Sequence, residues 1–156
     1  KLLMTNRCLI FYIMLLLSSN TLYGDLSIMN KKIIFTENAP QAIGPYSQGV
    51  VAGDTLYISG QIPLNPSTKA LVEGTISEQA EQVINNLESI CEAANTSLAN
   101  IVKLNIFLTD LSNFADVNEV MKNRFSEPYP ARATVEVSAL PLGVDIEMDA
   151  IVSLNE

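Results

Sequence analysis

The chain has 156 residues, 48% of them hydrophobic and 17% charged, and this length and composition predict one domain with a sizeable core. It contains no histidine, which excludes Ser-His-Asp and Cys-His hydrolysis and zinc sites with histidine ligands. Nine basic residues against 17 acidic ones give a net charge of -8, and the basic residues are scattered, so no nucleic-acid partner is expected.

The first 28 residues differ from the rest of the chain. Two basic residues precede an unbroken apolar run at residues 8–17, which is the layout of a secretory signal. This run is about half of the roughly 20 residues that cross a bilayer as a helix, so no stable membrane anchor is expected. Met29 also opens a segment typical of the start of a soluble protein. Residues 1–28 are therefore interpreted as a leader, either an export signal or an upstream segment translated in frame, and residues 29–156 as the domain.

Beyond the leader, strand patterns come first. Residues 32–36 predict a short strand. Residues 49–52 and 55–59 predict a hairpin, because Gly53-Asp54 between them is a two-residue turn of the hairpin type.

The first helix is predicted at residues 77–94, where apolar residues recur at helical spacing along one face. Thr75 and Glu78 have the spacing of a capping box. Cys91 lies on the apolar stripe, so we expect a buried core residue and not a nucleophile.

A central strand and a second helix follow. Residues 101–108 are nearly all apolar and predict the strand. The helix begins at about residue 112 and ends before Pro128. Asn118 lies on its inward stripe, whose apolar members are Phe114, Val117, Met121 and Phe125.

The last two segments, residues 131–138 and 144–153, alternate polar and apolar residues and predict two strands. The element order is then β-β-β-α-β-α-β-β, which predicts an α+β fold with both helices on one face of the sheet. We expect the polar sides of the last two strands to lie on the uncovered face, which would need solvent or a partner subunit.

Five segments resemble, in order and spacing, the Rid (YjgF/RidA) family of reactive-intermediate deaminases. They are AIGPYSQ at 42–48, ISGQIP at 58–63, VN at 117–118, PARATVEV at 130–137 and DIEMDA at 145–150. The resemblance implies a chorismate-mutase-like (YjgF-like) α+β fold with a mixed sheet and a homotrimer with sites between subunits.

The resemblance also implies an activity. Enzymes of the RidA branch hydrolyse enamine and imine intermediates, such as 2-aminoacrylate, 2-iminopropanoate and 2-iminobutanoate, to 2-keto acids and ammonia. Since most members lack a leader, we expect a cytoplasmic protein, or an exported one if residues 1–28 are a genuine signal peptide.

Hydrolysis of an imino acid requires a fixed cation for its carboxylate and a positioned water for its C=N carbon. Arg132, on the polar side of a strand, is predicted to bind the carboxylate, and the alternative is a salt bridge with an acid such as Glu136. Glu147 is predicted to position or deprotonate the water, and the alternative is a solvated strand carboxylate.

Five further residues are predicted around the substrate. The resemblance places Tyr46 over the ligand, although a subunit contact is the alternative. Ser59 and Gly60 offer a hydroxyl and an unhindered N–H, or form only a capped turn. Asn118 links the site to the second helix, or is a satisfied buried amide. Thr134 stands where the RidA branch often has cysteine, and its alternative is a simple strand residue.

Three functional classes stay open. The first is the deaminase, and the second is a non-catalytic trimer that binds 2-keto or imino acids through Arg132 without needing Glu147. The third is an RNA-directed endoribonuclease or translation inhibitor, which the net charge and the lack of a basic patch argue against. The sequence has no metal-ligand cluster, phosphate loop or nucleotide motif, so no metal or cofactor is expected.

Overall fold

The computed structural model describes residues 31–155, so the predicted leader at residues 1–28 lies outside the described residues. Within residues 31–155 the element order is β-β-β-α-β-α-β-β, as predicted. No helix in this range combines the length and the apolar character needed to cross a membrane. The strands are β1 (Lys32–Ile34), β2 (Gly49–Ala52), β3 (Thr55–Gln61), β4 (Ile101–Leu108), β5 (Ala131–Glu136) and β6 (Ile146–Ser153), and the helices are α1 (Ile76–Ala93) and α2 (Phe114–Arg124).

The strands form one mixed sheet in the spatial order β1-β2-β3-β6-β4-β5. Neighbouring strands are antiparallel except β4 and β5, which run parallel and are connected through α2. A parallel pair needs such a crossover because both strands start at the same edge of the sheet. The last strand, β6, is inserted between β3 and β4, and this insertion decides which residues become neighbours.

The predicted β2–β3 hairpin is confirmed. Ala52 pairs with Thr55 across the two-residue turn. Gly53 has a φ of 60°, a left-handed value that glycine adopts without steric cost and that tight hairpin turns require.

Helix α1 begins with the predicted capping box. Thr75 Oγ1 accepts a hydrogen bond from Glu78 N at 3.3 Å, and Glu78 Oε2 accepts one from Thr75 N at 2.8 Å. The apolar stripe of the helix is buried, and Cys91 lies within it. Burial raises the pKa of the Cys91 thiol to about 12, so the reactive thiolate does not form near neutral pH. The prediction of a core cysteine is confirmed.

The core lies between the sheet and the helices. Strands β4 and β6 supply alternate side chains to it, as the alternation in β6 predicts. The buried residues of β4 and β6 are Ile101, Leu104, Ile106, Leu108, Ile146, Met148, Ala150 and Val152. At the surface, Arg124 of α2 donates hydrogen bonds to Glu81 and, at 2.8 Å, to Glu88 of α1, which ties the two helices together.

Strand β5 contradicts the prediction that the polar sides of the last two strands share the uncovered face. Arg132 pairs with Leu104 and Thr134 with Ile106, and paired residues of neighbouring strands point to the same face. Because Leu104 and Ile106 are fully buried, Arg132 and Thr134 lie on the helix side of the sheet. For Arg132 the reason is that β5 is an edge strand, where a long polar side chain on the covered side still reaches water past the helix layer. The hydroxyl of Thr134 is buried.

The uncovered face is consequently more apolar than predicted. Tyr57 is 49% exposed and Val135 44% exposed, and Phe107 lies between β5 and β6 on the same side. The polar residues near them on this face include Lys103, Asn105, Glu147 and Asp149. Exposed apolar surface of this kind is typical of a protein interface.

Candidate active site

Three side chains of helix α2 hold Arg132. Its Nη1 donates a hydrogen bond to Asn118 Oδ1 at 2.5 Å and lies 3.4 Å from Met121 Sδ. Its Cζ lies 5.1 Å from the centroid of the Phe114 ring, which is a cation–π distance. The three helix residues are spaced by four and by three, so they share one face of α2. The helix therefore orients the guanidinium.

The guanidinium of Arg132 keeps donors for an anion. Among residues 31–155 no acidic side chain forms a salt bridge with it. Glu136, the alternative partner, instead accepts a hydrogen bond from Leu111 N at 3.0 Å. The Asn118 amide is neutral and leaves the positive charge in place, and an arginine fork binds a carboxylate through two parallel hydrogen bonds. These surroundings suit a carboxylate-binding group.

A depression of about 390 Å³ opens beside Arg132 and is called the Arg132 pocket. Lys122 is a second cation in it, but its Nζ pairs with Glu119 on the same helix. Arg132 is therefore the cation of this pocket that no described carboxylate neutralises. The other lining residues are Asn118, Met121, Tyr129 and Pro130.

A separate depression of about 410 Å³ brings four predicted residues together and is called the Glu147 pocket. These four are Tyr46, Ser59, Gly60 and Glu147. The rest of its lining is apolar and consists of Ile43, Ile62, Pro141 and Leu142.

An irregularity in β3 shapes the Glu147 pocket. Between Ile58 and Gln61 the pairing with β6 shifts register, because β3 has one residue more than β6 in this stretch. The resulting bulge contains Ser59 and Gly60. The carboxyl group of Glu147 lies against Gly60, where an added Cβ would come within 2.8 Å of Glu147 Cδ. Glycine at this position therefore makes room for the carboxyl group.

Ser59 supports the loop that carries Tyr46. Its Oγ donates to Ser47 O at 2.7 Å, and its N donates to Gln48 O at 3.0 Å. Tyr46 N donates to Gly44 O at 2.9 Å, which turns the chain sharply and leaves the Tyr46 side chain 50% exposed. The hydroxyl proton of Ser59 is thus engaged by the loop, and its oxygen keeps lone pairs for a ligand donor.

The electrostatics of the Glu147 pocket favour proton uptake. Burial raises the pKa of Glu147 above the ordinary value of a glutamate, and the charge of Asp149 raises it further. Asp149 itself accepts a hydrogen bond from Asn105 Nδ2 at 2.8 Å. A carboxylate whose pKa is closer to neutrality is a better general base. Glu147 is therefore suited to take a proton from water.

The two pockets lie on opposite faces of the sheet. Glu147 pairs with Phe107 of β4, whereas Arg132 pairs with Leu104 of the same strand. Residues three apart on a strand point to opposite faces. One chain therefore does not bring Arg132 and Glu147 together, and the expected site between subunits stays a prediction.

Thr134 and Asn118 have different surroundings. Thr134 lies two residues from Arg132 on the same side of β5, and its buried Oγ1 has no hydrogen-bond partner among the described residues. It lines neither pocket, so its predicted contact with the substrate stays a prediction. Asn118 lies in the Arg132 pocket and bonds the guanidinium, which makes it a residue that orients Arg132.

Phe114, beside Arg132, and Leu142, in the Glu147 pocket, are not among the functional candidates that the sequence indicates. Phe114 is predicted to lie on the inward stripe, but its side chain is 39% exposed and lies over Arg132. Its spacing of four from Asn118 is the signal that groups the two residues. Leu142 lines the Glu147 pocket, and its place between Pro141 and Gly143 indicates a turn without revealing the direction of the side chain.

The two pockets supply different chemical groups. The Arg132 pocket offers a fixed cation, and the Glu147 pocket offers a base beside an apolar wall. An imino acid needs both, since its carboxylate is bonded directly to its electrophilic carbon. In residues 31–155 no group of three or more His, Cys, Asp or Glu side chains could hold a metal ion.

Comparison with known proteins gives the family. A family model described as endoribonuclease L-PSP matches residues 36–154, a span that includes both pockets. The chain belongs to the Rid (YjgF/RidA) family. The resemblance found in the sequence is therefore confirmed.

Members of the Rid family similar to this chain carry different names. A RutC family protein of Pyrococcus horikoshii is 50% identical over 121 residues, which cover 78% of this chain and 96% of the relative. The human 2-iminobutanoate/2-iminopropanoate deaminase is 44% identical over 126 residues, covering 81% of this chain and 92% of the relative. The crystal structure of RidA from the Antarctic bacterium Psychrobacter sp. PAMC 21119 is 52% identical, with a TM-score of 0.76, and the match covers 78% of this chain and 98% of that chain. The predicted YjgF-like α+β fold is confirmed.

Proposed function

We propose that this Rid protein is a hydrolytic deaminase of small imines and enamines. Its substrates are 2-aminoacrylate, 2-iminopropanoate and 2-iminobutanoate, and its products are 2-keto acids and ammonia. The observation that carries the proposal is the guanidinium of Arg132, which α2 orients and no described carboxylate neutralises. The name of the human relative, 2-iminobutanoate/2-iminopropanoate deaminase, supports the substrate class.

The proposed enzyme is a homotrimer whose sites lie between subunits. Arg132 and Glu147 occupy opposite faces of one sheet, so a shared site requires Arg132 of one subunit to meet Glu147 of the next. A head-to-tail ring joins two different faces at every interface and closes after a fixed number of subunits. The exposed Tyr57 and Val135 on the uncovered face supply apolar surface for such contacts.

In the proposed reaction, the fork of Arg132 binds the substrate carboxylate and thereby fixes the neighbouring C=N carbon. The substrate reacts as its iminium ion (C=NH2⁺): Glu147 accepts a proton from a water molecule while the water oxygen attacks that carbon, and the C=N electron pair moves to the nitrogen, which becomes a neutral amine. Glu147 then returns this proton to the amine, and the C–N bond breaks as the O–H electron pair of the hydroxyl forms the C=O bond of the 2-keto acid. Ammonia leaves with the C–N electron pair, and the hydroxyl proton passes through the Glu147 carboxylate to the ammonia, which is released as ammonium. 2-Aminoacrylate enters this sequence after protonation of its C3, which converts it to 2-iminopropanoate.

The remaining residues position these two groups. Asn118 orients Arg132, and Gly60 leaves space for the Glu147 carboxyl group. Ser59 holds the loop from which Tyr46 covers the ligand. Thr134, two residues from Arg132, is proposed to contact the substrate carboxylate through its unpartnered hydroxyl.

Ammonia release from freshly generated 2-aminoacrylate tests the proposal. A pyridoxal-phosphate dehydratase acting on serine supplies the enamine, and early rates are compared with and without the protein because free imines also hydrolyse in water. We expect ammonia release faster than the protein-free rate with the wild type and with the control variant Arg124→Ala. Arg124 is a suitable control because it pairs with Glu88 and lines neither pocket. Release near the protein-free rate is expected with Arg132→Ala. Equal rates with and without the wild-type protein would refute the proposal.

A non-catalytic trimer that binds 2-keto or imino acids gives a different result. Binding of pyruvate, measured by calorimetry, needs Arg132 in either case. Glu147→Gln lowers the rate of ammonia release only if the protein is an enzyme, since a binding protein takes no proton from water. This variant separates the two functions.

A further inference from the structure

We propose that Leu142 determines which imino acids the site accepts, by placing an apolar wall where the substrate side chain lies. The inference rests on the proposed deaminase function. It concerns the turn at Pro141–Gly143, which precedes β6 and lines the Glu147 pocket. The wall selects apolar side chains over polar ones of the same size.

The backbone of Leu142 is in the left-handed region, with φ of 58° and ψ of 11°. This conformation is sterically unfavourable for a residue other than glycine, and leucine lacks the short polar side chain that helps asparagine adopt it. Gly143 follows with a φ of 73° and closes the turn by donating to Leu140 O at 3.1 Å. Strain of this kind persists where surrounding structure enforces it and is concentrated at ligand sites.

Packing in the core does not explain the strained leucine. The Leu142 side chain is 63% exposed, and Ile43, which lines the same pocket, is 87% exposed. Burial of a leucine side chain stabilises a protein, and the exposed Leu142 contributes little of that free energy. A strained and exposed leucine at a pocket therefore points to a contact with another molecule, and the substrate and the neighbouring subunit are the two candidates.

The positions of the pocket residues indicate which part of the substrate contacts Leu142. Glu147 must reach water at the C=N carbon, so the side chain of the imino acid extends along the remaining lining. That lining is apolar and is formed by Ile43, Ile62, Pro141 and Leu142. Against these four side chains a polar substrate side chain would lose hydrogen bonds to water without replacement, whereas an apolar one gains from burial.

Leu142 and Ile43 also line a neighbouring depression of about 360 Å³, which contains Lys69 and Glu37. The two apolar residues therefore separate the Glu147 pocket from a region that offers charged partners. This separation is what keeps a polar substrate side chain from finding hydrogen bonds beyond the wall.

Imines derived from leucine and asparagine provide the test, because the two side chains are nearly equal in size and shape but differ in polarity. An amino-acid oxidase generates each imine, and its hydrolysis is measured in competition with trapping by semicarbazide. We expect the wild type to prefer the leucine-derived imine by roughly tenfold in kcat/KM. Leu142→Asn, which tolerates the left-handed turn, and Leu142→Gly should each reduce that ratio by roughly threefold or more.

A matched control relieves strain elsewhere. Asn95 follows α1 with a φ of 59° and lines neither pocket, so Asn95→Gly should leave the ratio unchanged. An unaltered ratio in both Leu142 variants would overturn the proposal. Dissociation of the assembly by Leu142→Asn, seen by sedimentation, would also overturn it and identify a subunit contact. If the wild type acts on no imine, including alanine-derived 2-iminopropanoate, the proposed function itself fails.

Discussion

Arg132 is the residue at which one substitution should change activity most. Loss of a charge-assisted bidentate hydrogen-bond pair costs about 1.5 to 3 kcal/mol. Arg132→Ala should therefore lower kcat/KM for 2-iminopropanoate by roughly 10- to 150-fold. Arg132→Lys should recover only part of the loss, because an ammonium group does not reproduce the planar fork. Steady-state kinetics of the three proteins measure both effects.

The control for Arg132→Ala is Arg124→Ala. Arg124 is also an arginine that contacts helix residues, but it donates to Glu81 and Glu88 and lines neither pocket. Its removal should leave kcat/KM unchanged. If the circular dichroism spectrum shows that Arg132→Ala is unfolded at room temperature, Arg132 instead has a structural role.

Glu147 should set the acidic side of the pH profile. Its pKa is raised by burial and by the charge of Asp149, and only the deprotonated form accepts a proton from water. Activity should therefore fall as the pH falls through this pKa, at a pH above the ordinary glutamate range. Glu147→Gln should lower turnover by at least about tenfold and abolish this limb of the profile, while pyruvate binding survives.

The pH profile of kcat for both proteins is the measurement. An acidic limb at the same pH in Glu147→Gln would assign the titration to another group. An unchanged kcat in that variant would remove Glu147 from the mechanism altogether.

At the level of single residues, the sequence was informative where a residue type is chemically unusual for its place. Arg132 stands out by its charge on an alternating strand. Glu147 does not, because Asp145 and Asp149 share its side of the last strand, and only the family resemblance distinguishes it. Phe114 does not stand out either, because an aromatic residue on a helical stripe is normally part of a core. Its contact with Arg132 depends on where β5 passes under α2, which composition and spacing do not contain.

At the level of elements, helix α2 acts as the support of Arg132, and Phe114 tests this role. Phe114→Leu keeps an apolar side chain but removes a cation–π contact worth about 0.5 to 1 kcal/mol. We expect KM to rise roughly two- to fivefold with little change in kcat, and Phe114→Tyr, which keeps the ring, to behave like the wild type.

Thermal unfolding of the same variants distinguishes positioning from stability. A lower melting temperature with an unchanged KM in Phe114→Leu would mean that the ring serves packing and does not orient Arg132.

The elements themselves were largely predictable. The capping box at Thr75 and Glu78 and the apolar stripe predict a helix at 77–94, and the structure has it at Ile76–Ala93. The alternation in β5 correctly groups Arg132 with Thr134. It does not say which group meets the helices, because alternation is symmetric between the two faces of a strand and an edge strand buries neither face completely.

At the level of the whole molecule, the order of the strands separates the site residues. Since β6 lies between β3 and β4, Glu147 joins Ser59 and Gly60 on one side of the sheet. Arg132, on the edge strand β5, faces α2 on the other side. This separation depends on pairing between strands that are distant in sequence, so no local pattern reveals it. It leads directly to a site that needs two copies of the chain.

Hybrid assemblies test that central claim most directly. Arg132→Ala and Glu147→Gln subunits, co-expressed with different tags and purified through both, form trimers that contain both kinds of subunit. In a head-to-tail ring of three, each such hybrid has one interface where an intact Arg132 meets an intact Glu147. The hybrids should therefore recover about one third of the wild-type activity, whereas each parent variant stays near the control rate. Hybrids no more active than their parents would contradict a site shared between subunits.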